Sequence, residues 1–148
     1  MSTCLPRSLF VLAASVLACA PPAPQASPQV RVEATDYAFQ VAHELPAGAT
    51  QFGLDNRGKL AHEMALGQLK AGVSADSVLA YVAQGRDPGD LTDGVVGILI
   101  ASPGTTALGT LQATLVSGRT YVMICQFRDA DSLPPHIAMG MHASFVVK

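Results

Sequence analysis

Residues 120–147 read TYVMICQ (120–126), FRDADSLPP (127–135), HIAMGMH (136–142) and ASFVV (143–147). The first segment is a short apolar run rich in β-branched and aromatic residues, the signature of a buried strand. The second is polar and closes on two prolines, so it is a loop. The fourth is a further strand. Cys125 stands at the end of one strand, and His136 and Met141 stand in the loop before the next. Thiol, imidazole and thioether are therefore all placed at strand boundaries, where the loops of a β-domain gather.

Working outward, the same grammar recurs. Residues 30–34 (VRVEA) and 37–41 (YAFQV) alternate as half-buried strands do. Residues 44–48 (ELPAG) read as a turn, 50–54 (TQFGL) as a strand and Asn56-Arg57-Gly58 as a turn. Residues 62–69 (HEMALGQL) form another strand, with Met64 and Leu66 on one face. Residues 74–83 (SADSVLAYVA) look helical instead, with Ser74 as N-cap, Asp76 in the first turn, Val78, Leu79 and Val82 as apolar face, and Gly85 as stop. Residues 87–94 are a loop, 95–100 are either strand or buried loop, and 108–115 are a strand. Six to eight short strands punctuated by turns, with 13 Gly and 10 Pro, predict an all-β sandwich with a short helical insertion.

At 148 residues the chain has the length of one domain, and 49% hydrophobic against 14% charged residues is enough apolar material for a core. A net charge of −2 without a basic run argues against nucleic acid as a partner. The N-terminus reads differently. Residues 9–18 (LFVLAASVLA) follow Arg7 as an apolar run of export-signal length, too short to span a bilayer. The junction Val16-Leu17-Ala18-Cys19 resembles the lipobox of bacterial lipoproteins. That resemblance implies a signal peptide over 1–18, an acylated Cys19, a Pro-rich tether over 19–29 (CAPPAPQASPQ) and a folded domain over 30–148. The protein is then expected in the cell envelope, lipid-anchored, facing the periplasm or exterior. Ordinary cleavage after Ala18 or Ala20 is the alternative.

Of three cysteines, Cys4 leaves with the signal and Cys19 is acylated, so Cys125 is left alone in the domain. A lone thiol in an exported chain is a buried inert residue, a metal ligand or a nucleophile. Its companions favour the second. His62, Cys125, His136 and Met141 make two imidazoles, one thiolate and one thioether, the donor set of a His₂Cys plane with a long axial Met.

In these residues the chain resembles the cupredoxins, most of all the rusticyanin and sulfocyanin type. The carriers are residues 121–126, 135–141 and 145–148, the spacing Asn56-x-Gly58-x₃-His62, Asp36-Tyr37-Ala38-Phe39 and Leu45-Pro46-Ala47-Gly48. The likeness covers most of 30–148 but not 71–107. It implies a Greek-key β-sandwich, one copper ion, His62, Cys125 and His136 as equatorial ligands, and Met141 as axial ligand. It also implies single-electron exchange with redox partner proteins, and no enzyme activity.

Two features depart from the family pattern. Ten residues separate Cys125 from His136, where two to four are usual, so the segment from Arg128 to Ser132 must fold aside for the site to close. Glu63 follows His62, where Asn or Ser is common. It either hydrogen-bonds an imidazole as an outer support or points away along the strand. Met139 is a further candidate support. The cluster of Met64, Met139, Met141, His136 and His142 keeps a second function open, a periplasmic copper carrier or buffer handing the ion between donors and acceptors. A metal-free interaction module is the third. No G-x-S-x-G or H-E-x-x-H pattern supports catalysis.

Overall fold

The computed structural model describes residues 29–148. The segments expected as signal peptide (1–18) and, but for Gln29, tether (19–29), with Cys19, lie outside the described residues. Among the described residues nine strands form two sheets: β1 (Val30–Thr35), β2 (Ala38–Gln40), β3 (Glu44–Leu45), β4 (Gly48–Asn56), β5 (His62–Leu69), β6 (Thr92–Ala101), β7 (Leu111–Leu115), β8 (Thr120–Ile124) and β9 (His142–Val147). The first sheet runs β2-β1-β4-β7 and the second β3-β9-β8-β5-β6. Pairing is antiparallel except for β1 with β4 and β3 with β9. Between the sheets Val32, Phe52, Leu54, Met64, Leu66, Tyr121, Met123 and Phe145 form the main core.

A second apolar layer lies on the outer face of the second sheet. Helix α1 (Asp76–Ala83) lays Val78 against Ala65, Leu69, Val122, Ile124 and Ile137, with Leu79 and Val82 at the margin. This is why β5 and β8 are apolar on both faces. Their even and odd residues are claimed by different layers, as in any strand covered on two sides. The helix stops at Gly85, whose φ of +72° suits glycine.

Three sequence expectations shift and one is settled. Glu44-Leu45, read as a turn, pairs with Val146 and Val147 as a short edge strand. Residues 95–100, left open as strand or buried loop, are strand, at a sheet edge where Val95, Ile98 and Ile100 are half or more exposed. The strand expected from Leu108 begins at Leu111, and Leu108 is fully exposed. Helix α1 opens at Asp76, with Ala75 in the cap position, although the Ser74 hydroxyl accepts from the Ser77 N–H at 3.3 Å. Among the described residues no helix is long and apolar enough to cross a membrane.

Candidate metal centre

His62 is the first residue of β5, on its inner face and opposite Ala101 of β6. The turn before it is stapled by Asn56. The buried Asn56 amide donates to the carbonyls of Leu60 at 2.7 Å and Ala101 at 3.1 Å, and its Oδ1 accepts from Gly58 N–H at 2.8 Å. Cys125 directly follows β8 and continues its inward alternation after Tyr121 and Met123.

His136 returns to this end of the sandwich through a pinch. Its N–H donates to the Phe127 carbonyl at 2.8 Å, and the Ile137 N–H donates to the Cys125 carbonyl at 2.8 Å. The intervening residues bulge outward from that base. A 3₁₀ turn (His136–Met139) ends at Gly140, φ +103°, and brings Met141 back so that its N–H donates to the His136 carbonyl at 3.0 Å. The Cys125 N–H donates to the Met141 carbonyl at 3.3 Å. A long loop thus acts as a short one, because its ends are hydrogen-bonded together.

These elements bring three donors to a point. His62 Nδ1 and His136 Nδ1 are 3.2 Å apart, and Cys125 Sγ is 3.9 Å from the first and 3.4 Å from the second. His62, Cys125, His136 and Met141 are each at most 1% exposed. Met141 packs in the same core cluster as Cys125. Donor separations of this size are what metal bonds of about 2.0 to 2.3 Å at wide angles require.

The outward nitrogens are also engaged. His136 Nε2 faces Asp129 Oδ1 at 2.8 Å, and His62 Nε2 faces Asp36 Oδ1 at 3.4 Å. A carboxylate can only accept, so this arrangement suits imidazoles that carry the proton on Nε2 and offer a lone pair at Nδ1. Two lone pairs at 3.2 Å repel unless a cation lies between them, so the donors fit a metal ion. Burial pushes the Cys125 thiol up from its ordinary range, and a buried thiolate likewise needs a cation. Burial pushes His62 down, against the opposing pull of Asp36, so this imidazole is held neutral, as a ligand must be.

Three of the four residues expected as ligands, His62, Cys125 and His136, thus bring their donor atoms together, and Met141 is buried next to them through backbone bonds to Cys125 and His136. Arg128 to Ser132 does not simply fold aside, since Asp129 of that segment turns back onto His136. Glu63 meets no imidazole: its carboxylate accepts from the Gln126 N–H at 2.9 Å, bracing the backbone next to Cys125. Met139 is partly exposed in the 3₁₀ turn, and His142 Nδ1 meets the Gly140 carbonyl at 3.0 Å. Sequence reasoning missed Asp36, Tyr37 and Asp129 as site residues. Tyr37 donates its hydroxyl hydrogen to Asp129 Oδ2 at 2.7 Å, and its ring packs T-shaped with the His136 imidazole, ring centres 5.2 Å apart.

Among solved structures, the chain is similar to auracyanin from Roseiflexus castenholzii, with 19% identity over 84% of this chain and 99% of that one, TM-score 0.54. It is equally similar to auracyanin B, with 20% identity over 84% and 93%, TM-score 0.54. The fold is that of the cupredoxins. At such identities the likeness establishes the cupredoxin sandwich and nothing finer. No protein-family model matches the chain, and no curated protein does.

Proposed function

We propose that this protein is a single-electron carrier that holds one copper ion through His62 Nδ1, His136 Nδ1 and Cys125 Sγ, with Met141 as axial thioether. The observation that carries this reading is the convergence of the two Nδ1 atoms and the thiol on one buried point. Bound copper supplies a one-electron Cu(II)/Cu(I) couple. Thiolate and imidazoles suit the oxidised ion, and the thioether suits the reduced one.

The chain supplies a cage that changes little between the two states. His62 is fixed by strand pairing, and Cys125, His136 and Met141 are fixed by backbone bonds among themselves. Full burial excludes water from all four donors. Partners are other redox proteins. We also place the protein in the cell envelope, anchored through an acylated Cys19. This rests on the lipobox resemblance and the Pro-rich stretch behind it. An intact mass with an unmodified Cys19 overturns the anchor.

The test of the copper site is colour. Loaded with Cu(II), the protein is expected to turn intensely blue or green, because thiolate-to-copper charge transfer needs a short Cys125 bond. Cys125→Ser is expected to abolish that band even where copper stays bound. A colourless Cu(II) complex of the parent overturns the electron carrier. Tight Cu(I) binding without a stable Cu(II) form selects the copper carrier instead.

A further inference from the structure

We infer that Asp36 and Asp129 are positioning residues. They hold the imidazole protons on Nε2 and so prevent His62 and His136 from hydrogen-bonding to each other across the metal site. The inference deepens the proposed copper site and rests on that reading for its metal-binding consequence.

The competition is set by geometry. With their Nδ1 atoms 3.2 Å apart, the two rings can form a hydrogen bond as soon as one of them moves its proton to Nδ1. That state consumes both lone pairs and closes the site to a metal. It is disfavoured only if something outside the pair rewards the proton on Nε2. Each ring has such a partner, and each partner is a carboxylate. A charged acceptor makes the stronger hydrogen bond. Breaking it to pair the imidazoles would leave a carboxylate facing a bare nitrogen.

Both carboxylates are themselves held, and by one turn. Asp36 and Tyr37 are the two residues that join β1 to β2. Asp36 Oδ1 accepts from the N–H groups of Lys59 at 2.8 Å and Leu60 at 3.3 Å, on the loop that leads into His62. Tyr37 reaches the other way and fixes Asp129 through its hydroxyl. Tyr37 has φ +68°, a left-handed conformation that costs a tyrosine of order 1–3 kcal/mol and persists where surrounding contacts impose it. Gly58 supplies an independent sign. A Cβ there would lie 2.3 Å from Asp36 Oδ1 and 3.1 Å from His62 Nε2, so only glycine lets this carboxylate approach this imidazole.

The experiment has a metal-free arm and a copper arm on the same chain. In the metal-free arm, ¹⁵N-resolved NMR of the imidazoles is expected to place the protons of both His62 and His136 on Nε2. In Asp129→Ala the His136 proton is expected to move to Nδ1. A parent with either proton on Nδ1, or an Asp129→Ala variant with unchanged tautomers, overturns the inference.

In the copper arm, Asp36→Asn and Asp129→Asn keep an acceptor oxygen but lose the charge. Each is expected to weaken Cu(II) binding roughly 10- to 100-fold. Cu(I) binding should fall less, so the reduction potential rises. Gly58→Ala, which pushes the Asp36 carboxylate away from His62 and leaves both polar side chains chemically intact, should reproduce the Asp36→Asn effect, and Asp129→Glu should restore part of what Asp129→Asn loses. Equal losses for both ions would make the carboxylates merely structural and overturn the inference. A parent that binds no copper overturns the metal reading, while the metal-free tautomers still decide whether Asp36 and Asp129 hold the imidazole protons.

Discussion

His62 and His136 arrive at the same point by opposite routes. His62 is carried by a strand that has neighbours on both sides and apolar layers on both faces. His136 is carried by a loop whose integrity depends on a few backbone bonds at its base and on side chains such as Tyr37 and Asp129. In the first arm, the ladder of a central strand backed by apolar layers positions the ligand. In the second, hydrogen bonds within a loop and to Tyr37 and Asp129 carry more of the task. The two arms should therefore respond differently to loss of packing, to metal and to acid.

The largest expected effect comes from breaking the strand arm. Leu66 is fully buried in the main core, two positions after Met64 on the inner face of β5. Leu66→Ala is expected to cost about 2–5 kcal/mol, by lost transfer free energy plus the cavity left behind. Leu133 on the loop arm is 44% exposed, and Leu133→Ala should stay within about 0.5 kcal/mol. Urea unfolding of both metal-free variants checks the contrast. Similar costs would mean that the loop packs as tightly as the strand.

Next in size is the effect of metal itself. Copper binding only the folded state stabilises it by about 2.7 kcal/mol when free metal is a hundredfold above Kd. The gain should be uneven. Amide exchange at His136, Ile137 and Met141, whose N–H groups close the loop arm, should slow strongly on loading. Amides within β5, paired to both β6 and β8, should change little beyond the global gain. Uniform slowing would show that the two arms open together.

The contrast also explains what was legible in the sequence. β1 alternates with period two, and β5 and β8 are apolar runs bounded by turn residues, so these strands, with His62 and Cys125 at their ends, could be read directly, whereas the inward direction of both side chains came from the structure. The order His62, Cys125, His136, Met141 carried the candidate ligands for the same reason, each standing at a strand boundary. The loop arm was opaque. Nothing in FRDADSLPP says that Phe127 bonds back to His136, or that Asp129 rather than Asp131 meets the imidazole. Those contacts follow from how the loop folds back on itself, and Tyr37, which fixes Asp129, lies 92 positions away. The exposure of β6 was hidden too. Its apolar sequence matches a buried strand, and only its place at the sheet edge leaves Ile98 and Ile100 in solvent.

A smaller change tests the axial position. Met141→Leu keeps volume and apolarity in a fully buried site, so its stability cost should stay under about 1.5 kcal/mol. An axial thioether is a weak ligand that favours the reduced ion. Its removal should leave the colour in place and shift the potential. Voltammetry of parent and variant decides, and loss of the thiolate band would mean that Met141 holds the equatorial plane together.

The smallest effect separates the arms by pH in the metal-free protein. Burial lowers the pKa of the strand-borne His62 below its ordinary value of 6.5, although Asp36 partly opposes it. In the unfolded chain this imidazole titrates near 6.5. Between the folded and unfolded values the unfolded chain binds a proton that the folded one does not, so stability rises with pH there. The contribution is complete above about 6.5 and is lost as pH falls through that value towards the folded pKa. Asp129 and Asp36 act in a separate, lower window. The Tyr37 hydroxyl and His136 hold Asp129 below 3.8. Burial pushes Asp36 up, but the Lys59 and Leu60 amides and His62 outweigh it and leave it low as well. Their stabilisation is present above about 3.8 and disappears as pH falls through the folded values. The urea midpoint of the metal-free protein should therefore descend in two stages, one starting near pH 6.5 and one below pH 4. His62→Gln should remove the first stage and keep a second. Copper loading should delay the first, because a metal on Nδ1 competes with the proton. A midpoint that stays flat from pH 8 to pH 5 in the metal-free parent would mean that the strand arm does not hold His62 neutral.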